Sequence, residues 1–482
     1  MIKLLNHRKF SAVVRNPELN RRSVQQAITL NLCLLIILFL SLTMTSCKKD
    51  WFNAKSDINQ AVPATLQDFE YLLDDFVLMN LETPGLAEVG TDGHYMPENK
   101  WSGTVEPTER NAYTWTNTLP YTNVLDWDLS YKRIFQCNLV LDGLSKISEI
   151  EDQGRFNRIK GNALFHRAKN YYDLAQIWAQ PYQPISVATD IGIPLKEGID
   201  ITIPSTRSSV KQTYDQIISD LKLAADLFPD LPELKSRGSK TAVFALLART
   251  YLAMGNYSNA GIYADSSLKL YNELIDFNSI PSTNSNMGRF NKETIFYAQR
   301  VTVWTSTWFT NWVFVEPSLY ALYDNNDLRR TRFFRVTSGN IIFKGNYNSS
   351  NAGFNGLAVD EQYLIRAECL ARDGNTVAAM KDLNDLLKTR WSNTVIYPIR
   401  IATDSQDALI QILLERKKEL LFRNLRWSDL RRLNLDSRFI TTLNRTIGGN
   451  NYILEPNSYK YTLPIPQVVL NLAPQIQQTP GW

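Results

Sequence analysis

Apolar positions recur at helical spacing along most of this chain and are interrupted by two long stretches with no period. Leu66, Phe69, Leu72, Leu73 and Phe76 share one face and predict an amphipathic helix over 65–80, with Thr65 or its neighbour as cap. Trp127, Tyr131, Ile134, Phe135 and Leu139 predict a second helix over 123–144. Over 154–178 the stripe widens to Ala163, Leu164, Phe165, Ala168, Tyr171, Tyr172, Ala175 and Trp178. A further helix over 209–228 stops at Pro229. Residues 239–254, the turn Gly255-Asn256 and residues 257–270 make a helix pair in which Ala245, Ala248, Ala260 and Ala264 alternate with larger residues. Small residues of that kind let antiparallel helices approach closely, as in tetratricopeptide units. A second such pair covers 361–372 and 376–390 around Asp373-Gly374-Asn375, and a last helical region spans 406–433. The fold class expected is mainly α, with helix pairs as scaffold, long irregular loops and a few short strands.

The two aperiodic stretches are 81–120 and 275–360. The first is rich in Gly, Pro and aromatics. The second separates the helix pairs and holds short β-like runs at 294–303 and 340–345. Its load of Phe296, Tyr297, Trp304, Trp308, Phe309, Trp312 and Phe314 argues against disorder. Long irregular segments in a packed domain are usually functional.

Near the N-terminus an apolar run over 27–42 gives way to Thr45-Ser46-Cys47 and then Lys48-Lys49. It falls short of the ~20 apolar residues that span a bilayer. Small residues directly before a cysteine fit a lipoprotein signal peptide over 1–46, with Cys47 diacylated as the new first residue. Two or three acyl chains, at about 0.8 kcal/mol per buried CH₂, anchor a protein stably. The competing readings are an uncleaved anchor or an ordinary secretory signal. Met44, where Leu is usual, and the long basic leader depart from the common pattern. The expected organisation is thus a signal peptide and one domain over 47–482.

The charge follows from this division. The chain has 52 Lys and Arg against 48 Asp and Glu, and the leader holds six of the basic and one of the acidic residues. Without it 46 face 47, a net of −1, so the basic balance says nothing of nucleic acid. Cys137 and Cys369 lie in helical patterns and read as buried free thiols rather than a staple. Only His94 and His166 follow the leader, leaving little material for histidine metal sites or relays. His166, between Phe165 and Arg167, reads as a core histidine.

Several segments then carry a family resemblance. They are Gly161-Asn162-Ala163-Leu164-Phe165-His166-Arg167-Ala168 with Tyr171-Tyr172-Asp173-Leu174, and Gly192-Ile193-Pro194-Leu195. Glu415-Arg416-Lys417-Lys418-Glu419-Leu420-Leu421-Phe422 follows, with Arg426-Trp427-Ser428-Asp429-Leu430-Arg431-Arg432. Last come Leu463-Pro464-Ile465-Pro466-Gln467 and the ending Gln478-Thr479-Pro480-Gly481-Trp482. With the Cys47 signal, the chain resembles end to end the SusD/RagB family of outer-membrane nutrient-binding lipoproteins. It departs at Arg423-Asn424, where the family has Glu-Gly, and at Val469, where Glu is common. The resemblance implies a helical scaffold of four tetratricopeptide-like pairs, with ligand loops on the opposite side. It also implies a SusC-like TonB-dependent outer-membrane transporter as partner, over which the lipoprotein acts as a lid. The usual cargo is a glycan or oligosaccharide; some members take peptides.

Sites for sugars combine aromatic faces with amide, carboxylate and guanidinium groups. Two stretches supply that mixture where the resemblance places ligand loops, one from Asp92 to Trp101 with Arg110 and one over 300–312. Tyr95, Asn99, Trp101, Trp304, Trp308 and Trp312 are the ligand-binding candidates, while Tyr113, Trp115 and Phe309 also read as core. Arg423, Arg426, Arg431, Arg432 and Arg438 form a basic stretch for which the resemblance implies internal ion pairs. Glu415 and Glu419, one turn apart, read as an exposed pair serving Lys418 and Arg423. No G-x-S-x-G, H-E-x-x-H or phosphate loop is present, so no catalytic residue, metal or cofactor is expected. The competing functions are a lipid-anchored glycan hydrolase with two facing carboxylates, and a tetratricopeptide adaptor with a groove lined by Asn and Lys.

Overall fold

The computed structural model describes residues 63–103, 106–118, 121–122, 125–281, 283, 287–300, 312–345, 347–348 and 352–482, all within the unit Pro63–Trp482. Cys47, Trp304, Trp308 and Phe309 lie outside the described residues. The longer helices are α1 (Leu66–Leu73), α2 (Leu125–Ser145), α3 (Gln153–Trp178), α4 (Val210–Leu227), α5 (Lys240–Ala253) and α6 (Tyr257–Leu270). They continue as α7 (Val359–Arg372), α8 (Thr376–Lys388), α9 (Ser405–Glu419) and α10 (Arg426–Leu433). From α2 to α6 each packs on the next, α6 packs on α7, and α7 meets both α8 and α9.

The two tetratricopeptide-like turns are built alike. Gly255 and Gly374 take φ of 70° and 83°, a left-handed conformation that glycine reaches without steric cost. Asn256 and Asn375 follow and cap α6 and α8, accepting the amides of Asn259 and Ala378. Ala245, Ala248, Ala260 and Ala264 are fully buried at the close approach. At the other end of the stack Phe69 of α1 lies over Gly143 of α2, its ring 2.2 Å from where a Cβ would stand.

Two expected helices are interrupted. Residues 65–80 form α1 and a short helix, Phe76–Asn80, because Asp75 accepts the Leu78 amide and restarts the capping. Thr65 caps α1 as expected, in a capping box with Asp68. The 406–433 region breaks between α9 and α10, where Phe422 and Asn424 have φ of 60° and 61°. Asparagine is among the side chains that best tolerate this conformation, so Asn424 fits its position.

Short antiparallel pairs stitch the loops. They are β1 (His94–Tyr95) with β5 (Phe314–Val315), β2 (Ile191–Pro194) with β3 (Arg207–Ser209), and β4 (Thr294–Phe296) with β8 (Leu357–Ala358). The hairpins β6 (Phe334–Thr337) with β7 (Asn340–Phe343), and β9 (Leu443–Ile447) with β10 (Asn450–Leu454), complete the set.

A buried ion network ties the 275–360 stretch to α9. Arg329 meets Asp327 at 2.6 Å and Glu415 and Glu419 at 2.8 Å. Arg390 bridges Glu419 and Glu293, each at 2.8 Å, and Arg423 holds Asp360 at 2.8 Å. Glu415 and Glu419 are therefore buried, against the expectation of an exposed pair, because long arginines from elsewhere in the chain reach them. Lys418 does pair with Glu415, whereas Arg423 takes Asp360. Of the other arginines, Arg426 pairs with Asp92, Arg432 with Glu368, and Arg438 with Asp436, while Arg431 donates to backbone carbonyls of α3. Cys137 and Cys369 are buried free thiols, both pushed up to about 12 by burial. His166 is buried in α3, where desolvation pushes it down to about 3, so it is neutral.

Burial, reinforced by Asp360 and Glu419 and opposed by Arg390, pushes Glu293 up to about 7. A group raised in the folded state stabilises fully below its unfolded value near 4.5 and loses that contribution as pH rises through about 7. Urea denaturation at pH 5, 6, 7 and 8 is expected to show the wild type losing stability relative to Glu293→Gln as pH increases. A pH-independent difference between the two proteins would contradict this assignment.

Candidate functional site

The loop following α1 is clamped from below by one carboxylate. Asp92 accepts from Arg426 of α10 at 2.7 Å and from Lys417 of α9 at 2.8 Å. Burial opposes its charge, but these two cations outweigh it and hold the carboxyl well below the usual range. Two residues later the chain enters β1, whose Tyr95 pairs in register with Phe314 of β5. This pairing brings the two aperiodic stretches edge to edge through residues 219 positions apart in sequence.

Arg445 of β9 fixes the far side of the loop. It donates to the carbonyls of Val89, Thr91 and Tyr113, and its guanidinium lies 3.7 Å from the Tyr113 ring centre and 4.7 Å from that of Trp115. Tyr113 and Trp115 are accordingly core, exposed by 2% and 1%.

What remains at the surface is a cluster of half-buried rings. Trp101 lies in the short helix Glu98–Ser102, its indole N–H donating to the Arg110 carbonyl at 3.4 Å. The Arg110 guanidinium sits 4.7 Å from its ring centre, and the Tyr452 ring of β10 is 6.5 Å away. Lys100, the preceding residue, places Nζ 5.3 Å from the centre of the Trp312 ring. The Tyr95 hydroxyl donates to Asn340 Oδ1 of β7 at 3.3 Å, and its ring is 5.7 Å from Phe314. Asn99 is exposed on the same helix as Trp101. The structure thus places Tyr95, Asn99, Trp101 and Trp312 on connected elements. Lys100, Asn340 and Tyr452 join them without having been singled out in the sequence. Lys100 sits inside the first stretch and was legible there; Asn340 and Tyr452 arrive on hairpins, and only tertiary pairing reveals them.

This arrangement offers ring faces edged with amide, hydroxyl and cationic groups, which is what a sugar's C–H face and hydroxyls require. The larger hollows lie elsewhere: a groove of about 550 Å³ bordered by Phe135, Ile201, Ile203 and Leu472, and one of about 760 Å³ between α6 and the α7–α8 pair. In the second, Arg366 is already bridged to Asp265 at 2.9 Å and Asp382 at 2.7 Å. Glu293, Asp360 and Glu419 bring carboxylate oxygens within 4.8 Å of one another, but Arg390 and Arg423 supply their counter-charge. No helix among the described residues is long and apolar enough to cross a membrane.

Two family models match in succession. Residues 50–252 match "SusD-like, starch-binding associating with outer membrane", and residues 344–482 match the SusD family. The chain belongs to the SusD/RagB family, whose members are sugar-binding proteins associated with the outer membrane. It is 25% identical to SusD-like protein P2 of Formosa agariphila, over 72% of this chain and 78% of that one. The fold is similar to that of a SusD-like carbohydrate-binding protein from Bacteroides vulgatus, with TM-score 0.66 and 22% identity over 86% of this chain and 97% of the other. It is also similar to a laminarin-binding SusD-like protein, with TM-score 0.62 and 18% identity over 86% and 98%.

Rings left half-exposed contribute less to folding than rings sealed in the core. Trp101→Ala and Trp312→Ala are expected to cost about 1 kcal/mol each, against about 3–5 kcal/mol for Trp115→Ala. Chemical denaturation of the three variants checks the ordering. Equal losses at all three positions would make Trp101 and Trp312 core residues.

Proposed function

We propose that this chain is a cell-surface lipoprotein that captures a glycan or oligosaccharide and passes it to a TonB-dependent outer-membrane transporter. The observation that carries the reading is that half-buried Tyr95, Trp101 and Trp312 come from two stretches remote in sequence that β1–β5 pairing and the Lys100–Trp312 contact bring side by side. Membership of a family of sugar-binding proteins supports it, as does the likeness to a laminarin-binding fold relative. In this reading the sugar stacks against the rings, Asn99 and Asn340 offer amide hydrogen bonds, and no bond is made or broken. Trp304 and Trp308, in the segment joining β4 to β5, are proposed as further ring contacts. Cys47 carries the lipid that tethers the chain to the outer membrane, and a SusC-like barrel receives the cargo.

Isothermal titration of the chain from Lys48 onward, which keeps all of the described unit, tests the capture role against laminarin, starch and other polysaccharides. Saturable binding is expected, weakened about tenfold by Trp101→Ala or Trp312→Ala, since one aromatic contact is worth about 0.5–1.5 kcal/mol. Release of shorter products, or binding indifferent to both variants, would count against it. For the tether, Cys47→Ala is expected to move the full-length protein from the membrane fraction to the soluble one; retention in the membrane would refute lipidation at Cys47.

A further inference from the structure

The ion network that ties the second aperiodic stretch to α9 is one cation short. Glu293, Asp327, Asp360, Glu415 and Glu419 supply five carboxylates, and Arg329, Arg390, Lys418 and Arg423 supply four cations. None of these side chains is more than 8% exposed. Among the described residues no further cation lies within 4.0 Å of the five acids. The internal segments outside the described residues contain no Asp, Glu, His, Lys or Arg. An uncompensated buried charge is costly enough that the group takes up a proton instead.

The hydrogen bonds point to where that proton sits. Asp360 has a cation of its own: Arg423 donates to both its oxygens, and the Glu361 amide donates to Oδ1 at 2.8 Å. Glu293 shares Arg390 with Glu419. The Tyr347 hydroxyl lies between them, in hydrogen-bond contact with Glu293 Oε2 and 3.2 Å from Asp360 Oδ2. One phenol proton cannot serve two carboxylates at once. With Glu293 protonated every position is filled: its O–H donates to the Tyr347 oxygen, and the Tyr347 O–H donates to Asp360. Burial together with Asp360 and Glu419, against Arg390, pushes Glu293 up to about 7, in keeping with that assignment. The other titratable groups around the cluster have partners. Lys292 pairs with Glu273 at 2.6 Å, and the hydroxyls of Tyr271 and Tyr323 donate to the carbonyls of Lys292 and Lys418.

The same cluster grips the β6–β7 hairpin at both ends. Arg329 stands five residues before β6, and Tyr347 stands four residues after β7, its ring centre 3.6 Å from the Arg423 guanidinium. The hairpin carries Asn340, which accepts from the Tyr95 hydroxyl at 3.3 Å. We propose that Glu293, Tyr347 and Asp360 form a one-proton latch that holds β6–β7 against the Tyr95–Trp101–Trp312 platform when protonated and loosens it when the proton leaves. Deprotonation leaves a buried net negative charge and two carboxylates competing for one phenol proton; freeing Tyr347 admits water and relieves both. The latch stands on the ion network, while its effect on cargo rests on the glycan-capture reading.

Hydrogen exchange of the detergent-solubilised full-length chain, corrected for intrinsic rates, reads the latch without a ligand. A single proton lets an opening equilibrium rise by up to about tenfold per pH unit above neutrality. Wild-type protection in peptides covering β7 and Tyr347 is therefore expected to fall at least severalfold from pH 6 to pH 8.5, more than in α5. Glu293→Gln, whose amide donates to Tyr347 as the protonated acid does, should stay level. Tyr347→Phe, which lacks only the hydroxyl, should already show at pH 6 the low protection of the wild type at pH 8.5. Wild-type protection that is flat with pH, a fall shared equally by α5, or full protection in Tyr347→Phe at pH 6 overturns the latch. Titrated with laminarin, the wild type should bind severalfold more weakly at pH 8.5 than at pH 6, and Glu293→Gln equally at both. Equal wild-type affinity at the two pH values overturns the coupling to the platform. Absence of laminarin binding by folded protein counts against capture, while the exchange profile still decides the latch.

Discussion

The structure depends on buried guanidinium–carboxylate pairs that tie sequence-distant segments to α9 and α10. Arg329 and Arg390 converge on Glu419, while Asp92 draws Arg426 and Lys417 together beneath the first loop. Loops of 40 and 86 residues carry too little regular hydrogen bonding to hold a fixed shape, so their order comes from such long-range anchors. Removing one member leaves an uncompensated buried charge, costing about 3–5 kcal/mol, which makes these pairs all-or-none devices for positioning. The platform therefore inherits its geometry from the helical scaffold, although none of its rings lies on a long helix.

This division of labour explains where the rings face. Helices α2 and α3 bury Trp127, Phe165, Tyr171, Tyr172 and Trp178, and Trp115 and Trp427 are likewise consumed in the core. Tyr95, Trp101 and Trp312 sit on a two-residue strand, a one-turn helix and a strand approach, elements too short to bury both faces of a ring. The groove beside Phe135 and Leu472 is also a mixed surface, lined by Asp128, Asn138, Lys196, Asp200 and Thr202 as well as apolar residues.

Much of the scaffold was legible because helical periodicity and capping are local. Gly255-Asn256 and Gly374-Asn375 announced both turns, and Thr65 announced a cap. The breaks at Asp75 and Asn424 were missed because the apolar pattern runs through them, and only capping chemistry and positive φ reveal the stop. Glu415 and Glu419 looked solvent-facing because their partners Arg329 and Arg390 lie outside the local sequence window. Within the candidate site, Tyr95, Asn99 and Trp101 stood out by composition. Their meeting with Trp312, Asn340 and Tyr452 follows from strand pairing that no local pattern encodes.

A crystal structure of the chain with a bound oligosaccharide puts the central claim to the most direct test. The account places at least one sugar ring with its C–H face in van der Waals contact with Tyr95, Trp101 or Trp312, and its hydroxyls toward Asn99 or Asn340. A ligand seated instead in the groove beside Phe135 and Leu472, or between α6 and α7, with the three rings bare, would contradict it.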